Sequence, residues 1–180
     1  MPIQYTSIVS EHNAVRERVG IFDVSHMGQI FVSGKDASSF LSYVTTWNMT
    51  RLSDGDCRYC HILDEKGQII DDTIVYTFSN EDYMLVPNAS MVEKIFDWLN
   101  LQSVNFEVSI SNKSEDFFCF AVQGPQAPRL LRQYFNLSIT PFKLVKSGNI
   151  IISGTGYTGE KGYEIMGPLS ESLGIWESFL

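Results

Sequence analysis

Two adjacent carboxylates, Asp71 and Asp72, interrupt an otherwise apolar run, Gln68-Ile69-Ile70-Asp71-Asp72-Thr73-Ile74-Val75-Tyr76. Aspartate is disfavoured in strands, and strand alternation sends neighbouring side chains to opposite faces. At least one of the two is therefore expected on the covered face, where a carboxylate needs a partner or a ligand. A bulge or an edge strand with both groups solvated accounts for the same pattern.

A second segment, Gly154-Thr155-Gly156-Tyr157-Thr158-Gly159-Glu160-Lys161-Gly162-Tyr163-Glu164, holds four glycines in nine residues. Backbone amides of such a loop can cradle phosphate. No Gly-Lys-Ser/Thr follows, however, and the spacing does not open a helix after a strand. A tight connection between two strands explains the glycines more simply. Tyr157 offers an aromatic face here, and Glu164 a carboxylate that accepts N–H bonds from a heterocycle.

The remaining chemical residues point nowhere firm. Asp23, Ser25 and His26 lie close in sequence, but Gly-x-Ser-x-Gly is absent and a triad is a matter of geometry. His12 and His61 have no metal-ligand spacing with His26, so no metal site is expected. Cys57-Arg58-Tyr59-Cys60 has C-x-x-C spacing but no second pair. On a strand those two thiols face opposite sides. With Cys119 in the apolar run Phe117–Val122, reduced and buried thiols are expected.

The elements that must position these groups follow from periodicity. Ser7 precedes a helical stretch from Ile8 to Val19, which Gly20 is placed to end, and Asp36 caps a helix through Val44. Strands are expected at Gln29–Ser33, Arg58–Leu63, Gln68–Phe78, Asp82–Val86, Val104–Ile110, Phe117–Val122, Asn149–Ser153 and Tyr163–Met166. Asp64-Glu65-Lys66-Gly67 joins the second and third of these as a hairpin. Helices fill Ser90–Leu99, the segment from Gly124-Pro125 to Phe135, and Ser170 to the end. Interleaved helices with antiparallel hairpins make this α+β: mixed, largely antiparallel sheets with flanking helices. No linker and no internal boundary is visible in residues 1–180.

Composition excludes several classes. Hydrophobic residues reach 44% and charged residues 19%, an ordinary globular balance. Net charge is −8, and the 13 basic residues are scattered, so nucleic acid is not an expected partner. No apolar run approaches the roughly 18 residues of a membrane span. The first ten residues have neither a basic cluster nor an apolar core, so no signal peptide is expected.

Five segments, in order, resemble one family: the aminomethyltransferase, or T-protein, of the glycine cleavage system. They are Glu11–Arg16, Gly20–Gly28, Gly67–Tyr76, Ala121–Ala127 and Gly156–Ile165. The resemblance implies an α+β folate-binding fold, here incomplete at both ends. It implies that an aminomethyl group carried on the lipoyl arm of the H-protein loses ammonia and passes its methylene to tetrahydrofolate, the co-substrate. By the same resemblance Asp71 matches the catalytic aspartate beside the pterin, and Glu164 the glutamate that accepts its N–H groups. Tyr157, Asn88, Tyr59, Met27 and Phe142 fall where the family lines the folate pocket. No metal and no membrane is implied. The implied compartment is cytoplasmic, or the mitochondrial matrix in a eukaryote.

The family begins before the point matched by Met1 and continues past Leu180, with further folate-binding arginines and a C-terminal domain. The 180 residues alone are therefore not expected to carry the whole activity. Related alternatives are a non-catalytic folate-binding protein of iron–sulfur maintenance and the folate-binding part of a sarcosine or dimethylglycine dehydrogenase or related demethylase. The Asp71–Asp72 pair favours the transferase over the non-catalytic protein, while only an appended flavin domain would reveal the dehydrogenase.

Overall fold

The computed structural model describes residues 3–179; Met1, Pro2 and Leu180, the last residue of the expected final helix, lie outside them. In chain order the elements are α1 (Ile8–Glu17), β1 (Gly20–Asp23), β2 (Ile30–Ser33), α2 (Ala37–Val44), β3 (Cys57–Leu63), β4 (Ile69–Ser79), β5 (Asp82–Pro87), α3 (Val92–Gln102), β6 (Ser109–Asn112), β7 (Phe117–Gln123), α4 (Ala127–Phe135), β8 (Leu144–Ser147), β9 (Ile150–Ser153), β10 (Gly162–Pro168) and α5 (Ser172–Ser178). The α+β class is as the hairpin pattern implies. Two five-stranded sheets form, ordered β1-β7-β10-β9-β8 and β3-β4-β5-β2-β6.

The chain divides into two compact units, one of residues 25–117 and one of residues 1–24 with 118–180. It crosses from one unit to the other twice, each time without a Pro-, Gly- or Ser-rich linker. β1 pairs antiparallel with β7, from Gly20 opposite Gln123 to Asp23 opposite Phe120, and Val24 N–H then donates to the Cys119 carbonyl at 2.9 Å.

In the unit of residues 25–117, α2 and α3 cover one sheet with Phe40, Leu41, Val44, Ile95 and Leu99. These pack on Ile30, Val32, Ile62, Val75, Tyr83 and Leu85. The β3–β4 hairpin turns as expected. Asp64 Oδ1 accepts from the Lys66 and Gln68 amides at 2.8 Å each, and Gly67 supplies a φ of 76°. In the other unit, Phe118, Phe120, Val122, Ile150, Ile152 and Ile165 form the sheet side of a core closed by Ala127 and Leu131 of α4.

Several expected elements shift. Gly20 opens β1 rather than ending α1, whose cap is Arg18. Ser7 does cap α1, its side chain accepting from Ser10 N–H at 3.1 Å. Asp36 sits at the N-cap of α2 without a side-chain cap bond. Its Oδ2 accepts instead from Glu107 N–H at 2.8 Å. The strand expected from Val104 starts only at Ser109, because Ser103–Asn105 close α3 as a 3-10 turn. β1 and β8, four residues each, are not among the expected strands.

Cys57, Cys60 and Cys119 are buried thiols, as expected of them. Burial pushes the Cys60 thiol up to about 11 and Cys119 well above the usual thiol range. Neither is the thiolate that redox chemistry needs. Among the described residues no helix is long and apolar enough to cross a membrane.

Candidate active site

The Asp71–Asp72 pair lies near the start of β4. Across the hairpin, Ile62 faces Asp71, but Leu63 faces Ile69, which leaves Ile70 as an extra, bulged residue. Beyond the bulge the register is regular: Asp71 shares a face with Ile62, Thr73 and Cys60, while Asp72 shares the other with His61, Ile74 and Tyr59. Asp71 is 8% exposed and Asp72 is half-buried. One carboxylate of the pair is thus on the covered face, as alternation requires, and the bulge that was the competing explanation is present beside it.

Both carboxylates nevertheless meet one partner. Asn88, just past the end of β5, donates its backbone N–H to Asp71 Oδ2 at 3.0 Å. Its side-chain amide donates to Asp71 Oδ1 and to Asp72 Oδ1, each at 2.8 Å. A carboxylate has about four acceptor sites; Asn88 occupies one on each Asp71 oxygen and leaves acceptor capacity on both. Sequence reading marked Asn88 for a ligand; in the structure its donors are spent on the two aspartates.

Met27 comes to the same end of the sheet. Gly28 N–H donates to the Pro87 carbonyl at 3.1 Å, one residue from Asn88. A Cβ on Gly28 would lie 2.8 Å from both Pro87 Cγ and Val92 Cγ2, so only glycine permits this approach. Tyr59, 47% exposed, packs edge-on against His61 at 5.4 Å on the Asp72 face.

The second group of residues lies in the other unit, around the loop from β9 to β10. Those strands pair antiparallel with Glu164 opposite Ser153, so the glycine-rich loop is the hairpin connection the simpler reading expects. Two of its glycines, Gly156 and Gly162, lie against a buried side-chain amide. Gln123, 1% exposed, donates from Nε2 to the carbonyls of Thr155 and Tyr163 at 3.2 and 3.3 Å. Its Oε1 accepts from the Thr158 hydroxyl at 2.8 Å. A Cβ on Gly156 or Gly162 would come within 2.1 or 2.4 Å of that amide. Arg16 of α1 ties the loop down further, donating to the Thr158 carbonyl at 2.8 Å and pairing with Glu160 at 2.9 Å.

Glu164 is half-buried, and its Oε2 accepts from the Thr155 hydroxyl. Phe142 is tied to the root of the same loop: its N–H donates to the Gly154 carbonyl at 2.9 Å, and Lys143 O accepts from Gly154 N–H at 2.8 Å. These bonds hold Phe142 at a φ of 58°, a left-handed conformation that is strained for a bulky side chain. Its ring is half-exposed. Tyr157, by contrast, is 94% exposed. It lies in the loop that leads into β10 and Glu164, but its ring packs into no part of the unit's core.

Sequence reasoning missed Gln123, Thr155, Ser153 and the Asn88 clamp. The available signal was polarity at the end of apolar strands: Gln123 closes Phe117–Val122, and Ser153 follows three isoleucines. Such residues must find partners when buried. Among the described residues, no group of three or more His, Cys, Asp or Glu could hold a metal ion.

Over residues 1–180 the sequence matches the family described as the GCVT N-terminal domain. The chain belongs to this family. It is 42% identical over 188 residues to the aminomethyltransferase of Staphylococcus carnosus, covering 100% of this chain and 52% of that protein. It is 39% identical over 187 residues to that of Desulfitobacterium hafniense, covering 51% of the relative. Among solved structures, the glycine cleavage system aminomethyltransferase T of Bartonella henselae superposes with a TM-score of 0.92 at 32% identity. That match covers 99% of this chain and 50% of the other. A heterotetrameric sarcosine oxidase of Corynebacterium shares the fold alone, with a TM-score of 0.68 at 14% identity over 94% of this chain and 87% of that one. The chain spans about half the length of the aminomethyltransferases it matches.

Proposed function

We propose that the intact protein is the aminomethyltransferase of a glycine cleavage system, and that residues 1–180 supply part of its folate-binding region. The substrate is an aminomethyl group on the lipoyl arm of an H-protein. The C–N bond to nitrogen breaks and ammonia leaves. The methylene carbon bonds to N5 and N10 of tetrahydrofolate as its C–S bond breaks, giving 5,10-methylenetetrahydrofolate, and the two displaced N–H protons leave on ammonia and on the lipoyl sulfur, which becomes a thiol. The reaction takes place in the cytoplasm of a bacterium or the matrix of a mitochondrion.

The observation that carries the reading is the Asp71 carboxylate, buried yet hydrogen-bonded through both oxygens to a single residue, Asn88. A fixed negative charge of this kind stabilises positive charge developing on the methylene unit, because it needs no reorganisation as the reaction proceeds. Its remaining acceptor capacity suits a proton or an N–H of the reduced pterin. Glu164 accepts the pterin's amino and ring N–H groups, while Tyr157, Tyr59, Met27 and Phe142 supply apolar and aromatic surface to a flat ligand. Family membership and the near 40% identity to aminomethyltransferases support the same assignment.

The test is Asp71→Ala in the intact protein. Turnover of aminomethylated H-protein with tetrahydrofolate is expected to fall about 10²–10³-fold, with the circular dichroism spectrum retained. Full turnover in a folded variant would reject the catalytic assignment.

A further inference from the structure

The Glu164 carboxylate is fixed by a short chain of buried hydroxyls. Ser153 lies directly opposite Glu164 in the β9–β10 ladder, and Thr155, two residues on, emerges on the same side. Ser153 is 0% exposed and Thr155 is 6% exposed. Thr155 Oγ1 lies 2.6 Å from Ser153 Oγ and donates to Glu164 Oε2.

The direction of this chain follows from proton counting. An ionised carboxylate only accepts. The single hydroxyl proton of Thr155 is therefore spent on Glu164, and Ser153 is the donor in the bond between the two hydroxyls. Ser153 also lies 3.5 Å from the Glu164 carbonyl, a much weaker alternative for its proton. Hydrogen bonds in such a series polarise one another, so the last donor in the chain is a strong one.

We propose that Thr155, backed by Ser153, is a positioning residue that holds the Glu164 carboxylate in one rotamer for tetrahydrofolate. This rests on the reading of Glu164 as the acceptor for the pterin N–H groups. With the carboxylate held in place by Thr155, binding does not have to immobilise it, and affinity gains by the ordering cost avoided. Thr155 touches the ligand only through Glu164. Its removal therefore raises the dissociation constant and KM for tetrahydrofolate but leaves saturated turnover alone.

The experiment is a binding cycle on the intact protein, with tetrahydrofolate itself as probe under anaerobic conditions. Thr155→Val is expected to weaken binding about tenfold, the worth of one hydrogen bond to a charged group. Thr155→Ser, which keeps the hydroxyl, is expected to restore affinity to within about twofold. Saturated turnover stays at the wild-type level in both. In a Glu164→Ala background, which removes the acceptor, Thr155→Val should cause no further loss. Equal losses in the two backgrounds would overturn the proposal, as would wild-type affinity in Thr155→Val. Wild-type affinity in Glu164→Ala alone would instead overturn the assignment of Glu164 to the pterin, a separate result. Should Thr155→Val fail to fold, Ser153→Ala in the same two backgrounds makes the comparison, with an expected loss of about two- to threefold.

Discussion

Asp71 and Glu164 are both sheltered carboxylates on β-strands, and the chain holds them by different donors. Asp71 is gripped by N–H groups of Asn88, which have no option but to donate. Glu164 is gripped by a hydroxyl, which can turn. The Asp71 clamp is set by strand register, since Asn88 follows directly from the ladder in which Pro87 faces Thr73. The Glu164 clamp hangs from a loop, and that loop folds around the Gln123 amide. Register is therefore the rigid way to fix a charge. The loop is the costlier way, and it needs Gly156, Gly162 and a buried glutamine.

Gln123→Leu should make the largest difference between the two settings. It leaves the carbonyls of Thr155 and Tyr163 and the hydroxyl of Thr158 without their partner. A loss of about 3 kcal/mol in urea denaturation is expected, together with weaker tetrahydrofolate binding. A loss below about 1 kcal/mol would mean the loop stands without its glutamine. Asn88→Ala acts on the other side of the comparison. It is expected to lower turnover about tenfold with KM little changed, because the Asp71 carboxylate remains but loses its fixed pose. Asn88→Asp should be worse, since it sets a third carboxylate against two. Unchanged turnover in both would mean that register alone holds Asp71. The smallest effect is expected at Phe142. Asn tolerates the left-handed conformation better, so Phe142→Asn should gain about 1 kcal/mol in stability while binding tetrahydrofolate less well. Lower stability would mean that the half-exposed ring contributes more packing than its backbone costs.

What was legible in the sequence was what obeys short-range rules. The Asp64–Gly67 hairpin, the Ser7 cap, the buried strand at Phe117 and the helix faces of Phe40 and Ile95 each follow from local chemistry. Asp71 could be singled out because a carboxylate in an apolar run is costly wherever it lies. Its partner could not: Asn88 is 17 residues away, and only the β4–β5 register brings it there. Asp36 shows the converse. The N-cap rule located α2, but a distant amide, that of Glu107, claimed the capping oxygen. The glycines mark a hairpin, yet the centre of the loop, Gln123, lies 32 residues before Thr155, beyond any local pattern. Tyr157 was named from its motif, and at 94% exposure nothing local orients its ring.

The pairing of β1 with β7 brackets the whole of residues 25–117. On the ribosome, β1 emerges early and finds no ladder to join until the bracketed unit has been made. The unit carrying Asp71 is thus complete in sequence while the one carrying Glu164 still lacks most of its strands. Pairing across so long a stretch carries a large loop-closure entropy unless the intervening chain has already collapsed. In the order of synthesis, the unit that holds Asp71 is completed first, and its folding draws together the two ends that the other unit must join.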